Sequence, residues 1–140
     1  MLLVVKMALS RHELRYKAMT ILYQANLYDN NGITYDINDI IDSQMEEKSK
    51  FVNTIVTGVL DNRESIDELA NKYLENWTID RLGYTDQAIL RIAIYELLHK
   101  DTPDLTCIDE AVELAKEYSD DKVYRMINGV LDKIYHEEEK

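Results

Sequence analysis

The sequence predicts an all-α fold: two stacked three-helix bundles, about seven helices in all, forming one domain over residues 1–140. Apolar residues recur at helical spacing from end to end, and no strand-like alternation competes with them. One proline and four glycines leave long stretches free of helix breakers. With 46% apolar and 31% charged residues the chain is far from disordered composition. At this length folding buries roughly two-thirds of the surface that the unfolded chain exposes.

The elements follow in order. Ser10 and Glu13 have the spacing of a capping box, and the stripe Leu14, Ala18, Ile21, Leu22, Ala25 carries a first helix to about Tyr28, where "DNNG" stops it. A short acidic helix is expected over Asp36 to Ser43, and a third helix presents Phe51, Ile55, Val56, Val59 and Leu60. Ser65 and Glu68 read as a second capping box, opening a helix with Ile66, Leu69, Ala70, Tyr73 and Leu74 on one face. "TIDRLGYTD" is a link with one helical turn and a break at Gly83. The stretch "AILRIAIYELL" from Ala88 to Leu98 has only Arg91 and Glu96 as polar residues, so it is expected to be the buried centre of the domain. Pro103 ends the next connection, Thr106 caps a helix with Ile108, Ala111, Val112, Ala115 and Tyr118, and Val123, Ile127, Val130 and Ile134 mark the last.

Two fragments repeat, "VTGVLDN" and "INGVLDK", each with a glycine inside a helix. Glycine costs about 1 kcal/mol there relative to alanine, which a close helix crossing at Gly58 and Gly129 would offset. "ILYQ" and "AIYE" recur at nearly the same interval, which suggests an N-terminal half over about 10–76 and a C-terminal half over about 77–135. The match is short, and shared amphipathic spacing explains it as readily as duplication does.

The formal net charge of −11 opposes general attraction to nucleic acid and leaves only a local site. From Lys6 to Lys17 there are four cations and one acid, whereas Asp29 to Glu47 holds six acids and neither lysine nor arginine. The start, "MLLVVKMALS", lacks a basic leader and is too short to span a bilayer, which argues against export and against a membrane protein. Met7 is as sensible a beginning as Met1. The lone Cys107 excludes an intrachain disulfide, and a reducing cytoplasm fits best.

Catalytic chemistry finds little support. His12, His99 and His136 lie far apart without metal-ligand spacing, so no metal and no cofactor is expected, and the chain does not read as an enzyme. Cys107 sits just inside a helix start, where a thiol can be activated, but a lone cysteine among apolar neighbours reads better as a core residue. "DINDIID" lacks the glycine and terminal glutamate of a calcium loop and reads as an acidic helix face. Arg91, in a helix apolar on all sides, needs a carboxylate, with Glu96 or Glu110 the natural candidates.

On the first helix Arg15, Met19 and Tyr23 form an i, i+4, i+8 row beside the apolar stripe, with His12 and Tyr16 adjoining and Arg11 one turn before Arg15. Guanidinium groups for phosphates and flat rings for bases are what single-stranded RNA requires. The same spacing also describes an ordinary core helix with solvated arginines and half-buried tyrosines.

The motif order "ELRYKAMTILYQ", "FVNTIVTGVLDN", "ENWTIDRLGYTDQAILRIAIYELL", "IDEAVELAKEY" and "MINGVLDKIY" resembles the NusB family of transcription antitermination factors from about Arg11 to Tyr135. The resemblance implies a non-enzymatic factor that pairs with ribosomal protein NusE, binds the boxA element of nascent ribosomal RNA transcripts and helps RNA polymerase read through terminators. It further implies RNA contacts at Arg11 and Arg15 of an N-terminal arginine motif, at His12 where another arginine is often found, and at Tyr23, Tyr73 and Met126, the last replacing an aromatic. Asp86 matches an acidic position facing NusE. The chain departs from the pattern at His12 and Glu13, where cations are common, and at Asp109, which replaces an asparagine. The expectation is weak RNA binding alone, with the basic partner supplying positive field. An accessory module like those fused to RNA methyltransferases and a protein-binding adaptor without an RNA surface are the alternatives; the pattern is also compatible with a homodimer.

Overall fold

The computed structural model describes residues 8–138. The alternative start at Met7 and the preceding stretch, including Lys6 of the cation-rich segment from Lys6 to Lys17, lie outside the described residues. Seven α-helices follow in order: α1 (Arg11–Asn30), α2 (Ile37–Gln44), α3 (Lys50–Asp61), α4 (Arg63–Tyr73), α5 (Tyr84–His99), α6 (Asp104–Tyr118) and α7 (Asp121–Glu138). A 3₁₀ turn over Ile79–Arg81 precedes α5, and the described residues contain no strand.

The capping box at the start of α1 is closed in both directions: the Glu13 N–H donates to Ser10 Oγ at 3.1 Å and the Ser10 N–H to Glu13 Oε1 at 3.2 Å. Asp36 caps α2 by accepting from the Asn38 N–H, and Ser49 caps α3 by accepting from the Val52 N–H. Helix α5 is the axis. It packs against α1, α3, α4, α6 and α7, and each residue from Gln87 to Leu97 is buried. Helices α2 and α3 both pack on α1, α6 and α7 pack on each other, and the two groups meet where α1 lies along α5. The buried apolar side chains form one continuous cluster.

Four local expectations need correction. Helix α4 begins at Arg63, directly behind the single junction residue Asn62, so Ser65 lies inside the first turn, where its hydroxyl donates to the Asn62 carbonyl instead of capping. Thr106 likewise falls within the first turn of α6, because the helix starts immediately after Pro103, whose missing N–H costs nothing at a helix start. Arg91 finds neither Glu96 nor Glu110: its Nε and terminal nitrogen bind both oxygens of Asp67 on α4 at 2.8 and 3.1 Å. Glu96, five residues on, points to a different flank of α5.

The glycine pair divides. At Gly58 an added Cβ would lie 2.3 Å from the Tyr95 ring, itself stacked on His99 at 4.0 Å, so α3 and α5 do approach closely there. At Gly129 a Cβ would meet nothing within 4 Å, and the expected close crossing is absent. Opposite outcomes follow for the two alanine variants. Gly129→Ala should stabilise the protein by about 0.5–1 kcal/mol through helix propensity. Gly58→Ala should destabilise it, since overpacking costs about 1–3 kcal/mol and outweighs that gain. Urea unfolding midpoints of both variants check this pair.

Candidate nucleic-acid interface

The residues of the predicted row do not share one environment. Tyr23 is 42% exposed and lies edge-on against Tyr84 at 5.7 Å, whereas Met19 belongs to the core. Arg15 is only 3% exposed, and its guanidinium grips Glu96 on α5 through two hydrogen bonds of 2.9 and 2.8 Å, with Glu110 a further 3.9 Å away. Arg15, expected as an RNA contact, is thus buried and ion-paired in this structure, because the α1 flank bearing it is covered by α5 and α6.

His12 is also engaged. Its Nδ1 lies 2.8 Å from Glu110 and its Nε2 2.7 Å from Glu117, one turn-pair apart on α6. The hydrogen bond to the Glu110 carboxylate, opposed by partial burial and reinforced by Glu117, holds the imidazole above its ordinary value near 6.5. Arg11 remains exposed, its guanidinium lying 4.1 Å over the Phe51 ring at the start of α3. Glu13, which breaks the run of cations in sequence, is occupied in the capping box.

Aromatic pairs decorate the same helix. Tyr16 meets Tyr118 of α6 with ring centroids 4.9 Å apart, and Tyr23 meets Tyr84 at the start of α5. Asp86 sits in the first turn of α5, where the Ser119 hydroxyl donates to its Oδ1. Burial raises its carboxyl above the usual range, against the opposing effect of that hydrogen bond. Tyr73 and Met126 lie half-buried on α4 and α7, which pack together; Lys72 covers the Tyr73 ring at 5.3 Å. Among the described residues no hydrogen bond or ring contact joins them to the start of α1.

Sequence reasoning missed Phe51, Glu110, Glu117, Tyr84 and Tyr118 as companions of this surface. The spacing of Glu110 and Glu117, seven apart on one face of α6, was the available signal. Cys107 is a core residue whose thiol burial pushes it up to about 12. The calcium-like stretch is the cap and first turns of α2, with Asp36, Asp39 and Asp42 exposed and Ile40 and Ile41 buried. No three His, Cys, Asp or Glu side chains among the described residues are placed to hold a metal ion, and none of the described helices is long and apolar enough to cross a membrane.

Two outcomes follow from this network. Glu96→Gln should destabilise the fold by about 3 kcal/mol or more by leaving Arg15 buried without its counter-charge, and Arg15→Met combined with Glu96→Leu should recover most of the loss in denaturant unfolding. The protonated His12 clamp should stabilise the fold fully below pH 6.5 and fade as pH rises through the raised folded-state value. The difference in melting temperature between wild type and His12→Ala should therefore be larger at pH 6 than at pH 8.5.

The NusB family model matches residues 12–136. The transcription antitermination protein NusB of Staphylococcus haemolyticus (strain JCSC1435) is 44% identical over 127 residues, covering 90% of this chain and 99% of that protein. The solved structure of T. maritima NusB superposes with a TM-score of 0.82 at 33% identity, covering 94% of each chain. A crystal structure of antitermination factors NusB and NusE in complex with dsRNA gives a TM-score of 0.75 at 28% identity, covering 90% of this chain and 96% of that one. With the helix order, the buried α5 and the aromatic flank of α1 already in place, these matches settle the family: the chain belongs to the NusB family.

Proposed function

We propose that this chain is a transcription antitermination factor which, together with the ribosomal protein NusE, binds boxA RNA in nascent ribosomal RNA transcripts and promotes read-through of terminators by RNA polymerase. It works as a binding protein in the cytoplasm and not as an enzyme. The observation that carries this reading is the match of residues 12–136 to the family, with near-complete coverage of a relative at 44% identity. The α1 flank supports it, with an exposed guanidinium at Arg11 and an exposed ring at Tyr23 in an otherwise acidic chain.

The roles divide by accessibility. Arg11 meets phosphate and Tyr23 stacks on a base, while Tyr73 and Met126 extend the RNA path along α4 and α7. His12 contacts RNA only after leaving Glu110 and Glu117. Arg15 acts as a positioning residue that fixes the angle of α1 through Glu96. Asp86 offers a carboxylate to the basic partner. The engagement of His12 and Arg15 by carboxylates favours one second reading, an adaptor that binds protein and not RNA.

A fluorescence titration of boxA-containing RNA, with and without NusE and at two salt concentrations, separates the two. The proposed function requires binding that tightens with NusE and falls with salt. Tyr23→Ala should weaken it roughly 5- to 150-fold, since a stacked base contributes about 1–3 kcal/mol. Asp86→Asn, which keeps an acceptor for Ser119, should leave the melting temperature undiminished while weakening NusE binding. NusE binding without RNA binding would establish the adaptor instead.

A further inference from the structure

Six of the fourteen described lysines and arginines of this acidic protein are ion-paired. Arg15, Arg63, Lys72, Arg91, Lys100 and Lys133 each hold a carboxylate. Against that background one group of cations stands out. Arg11, Lys17, Lys48 and Lys50 gather where the start of α1 meets the start of α3, and none of the four is ion-paired with another described residue.

Their placement is fixed by the fold. The Arg11 guanidinium carbon lies 4.1 Å from the centroid of the Phe51 ring while the residue stays exposed, and Lys50 is the residue before Phe51 at the first position of α3. Lys17 and Lys48 line a hollow of about 460 Å³ between α1 and the α2–α3 connection. Lys48, Lys50 and Arg11 are exposed, and Lys17 is half-buried. The acids of this region are Glu13, held in the capping box, and Glu46 and Glu47 on the wall of the hollow.

We infer that Lys48 and Lys50 extend the RNA surface of α1 onto α3 and, with Arg11 and Lys17, form a track for the phosphates of a bound RNA strand. This rests on the RNA-binding reading above and adds the residues that supply its positive charge. The physical reason is compensation. Two positions of the N-terminal motif carry His12 and Glu13, and Arg15 is neutralised inside, so α1 alone presents too little charge to hold a polyanion to a protein of net charge −11. The lysines at the head of α3 restore a local positive field continuous with Arg11. They serve affinity and not base choice, because phosphate contacts are shared by all sequences.

The test compares wild type, Lys48→Gln/Lys50→Gln and the control Lys133→Gln, each with NusE, in titrations of boxA-containing RNA across a salt series. Circular dichroism melting checks that the exposed substitutions leave the fold intact. Each phosphate contact on a single strand contributes about 0.7 to the slope of log K against log salt, so the double variant should show a slope shallower by roughly 1.4 and weaker binding at low salt, with the control unchanged. Wild-type binding with an unaltered slope in the double variant would overturn this inference and leave the RNA-binding reading standing. Absence of RNA binding by the wild-type pair would remove that reading and this inference with it. Loss of NusE binding by the double variant in the absence of RNA would make the cluster a protein surface and overturn the phosphate track.

Discussion

The fold depends on burying one helix from every side. Eleven consecutive residues of α5 are removed from water, and three of them, Gln87, Arg91 and Glu96, carry groups that cannot be left without partners there. Each is satisfied by a neighbouring segment. Gln87 accepts from Asn26 of α1 at 2.8 Å and donates to the Leu82 carbonyl at 2.7 Å, Arg91 holds Asp67 of α4, and Glu96 holds Arg15 of α1. Apolar packing would tolerate small rotations and slides of these helices, but directional polar contacts do not. Two of the three contacts fall on α1, at its two ends, so α1 is fixed in both angle and register along α5.

That constraint shapes the surface as much as the core. The arginine that ties α1 to α5 is one that the linear motif offers to RNA, and Glu110 of α6, 3.9 Å from it, also holds His12. On its α6 side the start of α1 therefore has its positive charges engaged by carboxylates. On its α3 side it keeps Arg11 above an aromatic ring. Polarity at this end is divided by which neighbour covers each flank, a division made by the packing of three helices.

The sequence reveals long-period features and hides junctions. The capping box of α1, the acidic α2, the turn before α5 and the burial of α5 were all legible, because each rests on local spacing or on a run of apolar residues longer than one turn. The starts of α4 and α6 were misread because Ser65 and Thr106 carry the chemistry of a cap while the chain had already entered the helix two residues earlier. The fate of Arg15 was illegible in a different way. A residue on the rim of an apolar stripe is inside or outside according to which helix lies beside it, and its partner stands 81 residues away. Gly58 and Gly129 carry the same sequence signature, yet only Gly58 faces a tyrosine ring. Tyr73 and Met126 entered through family resemblance alone, since neither spacing nor composition links them to α1.

The long reach of the α1–α5 contacts also bears on how the chain is made. Pairs separated by 61 and 81 residues cannot form until α5 has been synthesised, so the apolar stripe of Ala18, Ile21, Leu22 and Ala25 emerges well before its principal cover. At ordinary elongation rates the delay is on the order of 3–15 s, long compared with helix formation and collapse. During that interval α2 and α3 are the available neighbours for α1, and both pack on it in the finished protein. Until Glu96 has been made, Arg15 lacks the carboxylate that neutralises it in the finished protein, and the side chain becomes a buried fastener only once that partner arrives.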